Sequence, residues 1–336
     1  MPRLLDELAI QEVATPDLFE ERVVRPCRPV VLRGLVRDWP VVAAAHRGAS
    51  ALHDYLTAQA SNSPVEIFVG HREISGQYYY SQDLAGFNFE RRRLGFRDAI
   101  NTIFEPGDKD RTLYLGSVPT FGHLAGFADE NRLAMLGPGV GPRLWLGHAS
   151  NVSCHFDTMD NVACVVAGRR RFTLYPPEAI GDLYVGPIDN TMAGQPVSLA
   201  AAAADKSPFP RFAKAQAMAL TAELEPGDAL YMPKLWWHQV EGLSPLNGLV
   251  NYWWDATASG PDAPYAALLM AMIALAERPP AERQAWSAFF DHYVFREDEH
   301  PLRHLDESHH GLLGPLRPDN YGRLRAIVMH MLRNGR

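Results

Sequence analysis

The strongest constraint on this chain lies between residues 112 and 254, where apolar runs recur at 112–116, 143–147, 162–166, 171–175, 229–232 and 249–253. Each is bounded by Gly, Pro or Asp and is too short for an amphipathic helix, which needs about ten residues or more. Many short strands separated by turn residues pack as a sandwich or barrel, here a jelly roll. Ala167-Gly168 fits a tight hairpin loop, pairing Arg169 with Val166 and Arg170 with Val165. Pro226-Gly227-Asp228 sets Pro and Gly in the order of a type II turn before the next strand.

The flanks read differently. In residues 1–110, Pro16-Asp-Leu-Phe-Glu-Glu-Arg opens a helix, Pro29-Val-Val-Leu-Arg-Gly is a short strand, and Ala51-Leu-His-Asp-Tyr-Leu is helical again. Val65-Glu-Ile-Phe-Val and Gln77-Tyr-Tyr-Tyr read as further strands. From 88 to 103 apolar residues recur near helical spacing, so Arg91-Arg-Arg93 is expected on a solvated helix face. Segment 192–221 is either a lid or rim beside the site or a peripheral connector. Beyond residue 256 the pattern is helical. The uncharged run 265–276 is too short to cross a bilayer and is expected as a buried helix. Leu324, Ile327, Val328, Met331 and Leu332 form one apolar stripe, which must cover the chain's own core or a second subunit. With no repeat and no long linker, residues 1–336 are expected to be one domain. Its parts are an α/β flank at 1–110, a β core at 111–256 and C-terminal helices at 257–336.

The chemistry centres on His155-Phe-Asp157. On a strand these two side chains share a face and supply two of the three ligands of a non-haem iron(II) site. His238 is the expected third, closing a Pro-x-x-Trp-Trp-His segment whose indoles wall it off from water. The separation of 83 residues (238 − 155) suits ligands on opposite strands of one barrel. Two neutral imidazoles and a carboxylate leave iron(II) a residual charge of about +1 and three open positions, enough for a bidentate 2-oxo acid and dioxygen. A zinc hydrolase could use the same donors, with Asp160 as its general base. Arg170 favours the oxygenase. Counting back by twos through Val165, Ala163 and Asn161 sets it on the face of His155 and Asp157. A guanidinium inside a barrel needs an anion, and its fork matches a distal carboxylate. The other arrangement is three arginines on an exposed hairpin tip. Cys154 and Cys164 read as small buried residues and His309-His310 as surface.

These motifs together resemble a known family. They are His155-x-Asp157, Asn161, Gly168-Arg-Arg170-Arg-Phe-Thr-Leu-Tyr-Pro-Pro177, Pro226-Gly-Asp-x-Leu-Tyr-Met-Pro-x-x-Trp-Trp-His238 and Asn251-Tyr-Trp253. The resemblance is to the cupin-like, Jumonji-C-related 2-oxoglutarate oxygenases, particularly the asparaginyl hydroxylases that act on hypoxia-inducible factor. It covers roughly residues 112–254 and, more weakly, 29–34. It implies a mainly β protein with flanking helices, built on a double-stranded β-helix (cupin) core. It implies Fe(II), 2-oxoglutarate and O2, with His155, Asp157 and His238 as iron ligands. Tyr114, Asn161 and Asn251 match residues that hydrogen-bond the cosubstrate, and Trp253 matches a pocket aromatic. Arg170 stands where those hydroxylases have a lysine, and Ser153 stands near a threonine contact. The implied reaction is hydroxylation of an amino-acid side chain in a protein or peptide, or of a small metabolite. A catalytically silent cupin, serving as sensor or scaffold, is the other class.

A net charge of −7 gives no general attraction to nucleic acid or anionic lipid. Three cysteines without a C-x-x-C pair, and acids at the N-terminus where a leader needs an apolar run, fit a reducing cytoplasm. The family resemblance also implies a homodimer through the C-terminal helices.

Overall fold

The computed structural model describes residues 2–105, 111–188, 195–257, 262–296 and 299–334. Among them, fifteen strands form two sheets: β1 (Arg3–Leu4), β2 (Glu7–Leu8), β3 (Val30–Leu32), β4 (Pro64–His71), β5 (Gln77–Tyr78), β6 (Glu90–Gly95), β7 (Arg111–Pro119), β8 (Pro142–His148), β9 (Asn151–His155), β10 (Asp160–Ala167), β11 (Arg170–Tyr175), β12 (Leu220–Leu224), β13 (Ala229–Met232), β14 (Trp237–Gly242) and β15 (Leu246–Trp254). One sheet runs β1-β12-β11-β14-β9-β5 and the other β2-β3-β13-β10-β15-β8-β7-β4-β6. This is the mainly β sandwich with flanking helices that the turn-punctuated runs predict.

Strand β10 shows why its sequence is an unbroken apolar run. It lies between β13 and β15, and every residue in it is buried. Alternation sends Val162, Cys164 and Val166 to one face, against Phe19, Val24 and Val42 of the N-terminal flank. Ala163 and Val165 face the other way, into a layer shared with Phe172 and Leu174 of β11 and Val240 of β14. A strand covered on both faces has no polar side to display.

The loop at Ala167-Gly168 differs from the expected hairpin. β10 and β11 do not pair with each other; β11 pairs with β12 and β14, so the loop carries the chain from one sheet to the other. Gly168 makes that crossing at φ 67°, and a Cβ there would sit 2.3 Å from the Leu246 carbonyl oxygen. The Pro226-Gly227 turn forms as read: Asp228 N–H donates to the Glu225 carbonyl at 3.0 Å, with Gly227 at φ 105°.

In the N-terminal flank, Thr15 caps the helix Pro16–Phe19 by accepting from Leu18 N–H at 3.3 Å. The helical reading of 88–103 holds only in part. Residues 90–95 form β6 against β4, because β4 needs a partner along that edge, and Arg91, Arg92 and Arg93 are exposed on a strand. Helix begins at Phe96 and buries Phe96, Ala99, Ile100 and Ile103, an i, i+3, i+4, i+7 stripe.

The contacts divide the chain into two compact units, residues 1–256 and 257–336. The second holds helices Pro264–Leu275, Pro280–Phe290 and Pro318–Asn334. The first of these corrects the expectation of a buried helix: no residue in it is buried, and Ile273 is 80% exposed, since no described element covers that face. The stripe at Ile327, Val328, Met331 and Leu332 is also exposed. No helix among the described residues is long and apolar enough to cross a membrane.

Candidate metal centre

Antiparallel pairing of β9 with β14 sets His155 directly opposite His238, with ring centroids 4.4 Å apart. The two histidines thus sit on neighbouring strands, not on opposite sides of a barrel as the sequence separation suggested. Asp157 follows two residues beyond the end of β9, and its Oδ2 lies 3.8 Å from His238 Nε2. One ligating atom from each of the three falls within 4.8 Å of the others.

Both imidazoles are oriented by backbone. His155 Nδ1 is 2.8 Å from the Ser153 carbonyl, and His238 Nδ1 is 3.0 Å from the Trp236 carbonyl. A carbonyl only accepts, so each Nδ1 carries the hydrogen and each Nε2 keeps a lone pair for a metal. Burial, together with the neighbouring His155, pushes the His238 pKa down to about 4 against a weaker opposing pull from Asp157. The ring is therefore neutral at physiological pH. Of the two indoles beside it, Trp237 is buried against Phe156 at 4.9 Å and Trp236 packs against the layer between the sheets.

The carboxylate is oriented by side chains of the other sheet. Trp253 Nε1 donates to Asp157 Oδ2 at 3.0 Å and Asn161 Nδ2 donates to the same oxygen at 3.3 Å. Asn251 Nδ2 donates to Asn161 Oδ1 at 3.1 Å, and Trp145 Nε1 donates to Asn251 Oδ1 at 2.7 Å. Trp145 was not singled out from sequence. Only the pairing of β8 with β15 brings it to Asn251, and the one available signal was its alternation with Arg143 on a short strand.

Arg170 is 3% exposed and lines the same cavity as the triad, Tyr114, Asn161, Asn251 and Trp253. Its Nε and Nη2 are buried without a hydrogen-bond partner, and Tyr114 is its polar neighbour. Burial pulls the Arg170 pKa down and pushes the Tyr114 pKa up. Arg171 instead points outward to Glu223 and Glu241, and Arg169 is exposed, so the exposed-tip arrangement fails for Arg170 alone. A donor set of two imidazoles and a carboxylate, sharing one cavity with a buried guanidinium that meets Tyr114 but leaves Nε and Nη2 unpartnered, fits iron(II) and a diacid.

Two candidates fall elsewhere. Ser153 is off the cavity because β9 bulges: His155 pairs with His238 but Val152 pairs with Val240, one residue out of step. Val152 therefore lines the cavity, and Ser153 Oγ donates to the Tyr78 carbonyl at 2.7 Å. Asp160 accepts from Tyr231 Oη at 3.0 Å and Ala256 N–H at 3.1 Å and pairs with Lys234 at 3.4 Å. Committed to those partners, it is no general base, and the hydrolase loses the one it was assigned.

A second, mostly aromatic cavity adjoins the first, sharing Tyr114, Trp145 and His155 and adding Phe68, Tyr78 and Phe89. Gln195 and Val197 close one side of it, so the start of the described part of segment 192–221 lies at its rim, while Phe209 and Phe212 pack against Tyr184 and Tyr175; residues 192–194 lie outside the described residues. Cys154 and Cys164 are buried, and burial pushes both thiols far above their ordinary range. His309 is exposed as expected, but His310 is buried, stacked on His300 at 4.4 Å.

A β-sandwich enclosing an inward His-Asp-His triad defines a metal-binding protein of the cupin class. The chain belongs to the cupin-like domain family, whose profile matches residues 16–260. It is 28% identical over 269 residues to "Jumonji C domain-containing protein 5" of Drosophila melanogaster, covering 76% of this chain and 62% of that protein. It is 26% identical over 268 residues to "Lysine-specific demethylase 8" of Xenopus tropicalis, covering 76% and 55%. To human "HSPB1-associated protein 1" it is 36% identical over 112 residues, covering 33% and 22%. The chain spans less than two thirds of the length of each of these relatives.

Proposed function

We propose that the chain is an Fe(II)- and 2-oxoglutarate-dependent oxygenase that hydroxylates a side chain of a protein or peptide, or a small metabolite. The observation that carries this reading is the buried edge of Arg170, whose Nε and Nη2 have no hydrogen-bond partner, in the cavity of the His-Asp-His triad. His155, Asp157 and His238 would hold the metal. Bound iron(II) supplies dioxygen activation coupled to decarboxylation of 2-oxoglutarate, yielding hydroxylated product, succinate and carbon dioxide. Arg170 and Tyr114 hold the far carboxylate of the cosubstrate, Asn161 and Asn251 take its remaining polar contacts, and Trp253 closes the wall. The aromatic cavity beside His155 receives the substrate side chain, with Gln195 and Val197 at its rim. The relatives named as Jumonji C or demethylase proteins support the oxygenase class. The exposed stripe at residues 324–332 is proposed as a homodimer face, which sedimentation would test, and the cytoplasm as the compartment.

The test is succinate formation and oxygen uptake by purified protein with Fe(II) and 2-oxoglutarate. Turnover lost in both His155→Ala and Asp157→Ala supports the assignment, and turnover surviving both refutes it. Protein that neither binds nor consumes 2-oxoglutarate is instead a silent cupin.

A further inference from the structure

Ser117 adopts φ 53°, the left-handed region that a residue with a β-carbon avoids. It lies where β7 bulges, between the pairs Leu115–Leu146 and Val118–Leu144. Both of its acceptors serve one side chain. Arg143 Nε donates to Ser117 Oγ at 2.6 Å, and Arg143 Nη2 donates to the Ser117 carbonyl at 2.7 Å. The guanidinium fixed in this way lies over the Trp253 indole, 5.6 Å from the ring centroid. The register of β8 and β15 pairs Arg143 with Asn251, which makes Trp253 its diagonal neighbour on the same face. Trp145 meets the same indole edge-on at 5.8 Å and 88°. That indole is the one whose N–H donates to Asp157 Oδ2.

We propose that Arg143 is a positioning residue for the metal centre. Clamped by the strained Ser117, it fixes the plane of Trp253 and through it the oxygen that Asp157 presents. The inference rests on the metal-centre reading above. The chain of contacts has a direction: both Ser117 acceptors fix the fork, the fixed cation holds the π face it lies over, and a held indole aims its N–H at one carboxylate oxygen. A lysine would keep the charge but not the two-point clamp. Backbone strain retained at Ser117 is what a bulge built to aim a side chain would show.

The experiment is titration of metal-free protein with cobalt(II), read by visible absorption, for wild type, Arg143→Met, Arg143→Lys and Ser117→Gly. Arg143→Met is expected to weaken cobalt binding about three- to tenfold, up to the lower end of the range for groups that orient a ligand directly because it acts through Trp253, and to shift the absorption bands. Arg143→Lys should recover part of both. Ser117→Gly relieves the positive φ, so it should melt no lower than wild type yet move the cobalt spectrum in the direction of Arg143→Met. A purely structural role would lower melting and leave the cobalt spectrum unchanged. Wild-type affinity and spectrum in Ser117→Gly, and in Arg143→Met where it folds, overturn the inference while the centre itself stands. Cobalt binding unaffected by His155→Ala overturns the metal-centre reading and this inference with it.

Discussion

His155 and His238 face each other across one register position of β9 and β14, and each gives its Nδ1 hydrogen to the carbonyl two residues earlier in the chain. The same local device, used twice, leaves two Nε2 lone pairs converging beside Asp157.

The carboxylate depends on its indole donor. Trp253→Phe keeps an aromatic ring but deletes the N–H that Asp157 Oδ2 accepts. Metal affinity is expected to fall about tenfold with little change in melting temperature. Calorimetric titration with manganese(II) checks this, and an unaltered affinity would show that Asn161 alone orients the carboxylate.

Arg170 is expected to be a liability without its ligand. Arg170→Met removes a buried guanidinium whose Nε and Nη2 are unpaired, so the ligand-free variant should match or exceed wild type in stability, by up to about 4 kcal/mol. Added 2-oxoglutarate should raise the melting temperature of metal-loaded wild type and leave the variant unmoved. Equal ligand-induced shifts in the two proteins would move the anchor elsewhere.

Acid should weaken the metal-free fold through His238. Its folded pKa of about 4 lies below the ordinary 6.5, so between these values the unfolded chain binds a proton that the native state refuses. The contribution is whole above about pH 6.5, is lost progressively toward pH 4, and falls no further below. Denaturant unfolding of wild type and His238→Gln between pH 7.5 and 4.5 reads it as their difference. A difference that stays flat with pH would contradict the assignment.

Gly168→Ala is expected to destabilise the fold by roughly 1–3 kcal/mol, since alanine resists φ 67° and its Cβ would meet the Leu246 carbonyl. Because this glycine delivers the chain to Arg170, the apparent requirement for 2-oxoglutarate should rise as well. A denaturation midpoint equal to that of wild type would show that the crossing has slack.

The triad was legible because strand alternation and residue chemistry are local properties: His155, Asp157 and His238 converge as their types imply. Arg170 was read correctly as inward from an incorrect pairing. Its face follows from the layer between the sheets, since β10 and β11 belong to different sheets. Ser153 was misplaced because a one-residue bulge reverses every face beyond it, and nothing in Asn-Val-Ser-Cys-His signals the bulge. Arg91 to Arg93 looked helical because apolar spacing over 88–103 merged a strand with the helix after it. Trp145, Arg143 and Asp160 acquire their roles only through partners far along the chain, which alternation cannot supply.

The two imidazoles belong to the six-stranded sheet, whereas Asn161 and Trp253, which steer the carboxylate, belong to the nine-stranded one. Met232, Leu174, Val240 and Leu249 pack in the layer between those sheets, so its thickness is expected to bear on the spacing of the three donors. A methyl group gained or lost in that layer would retune which cation the protein prefers without touching any atom that binds it.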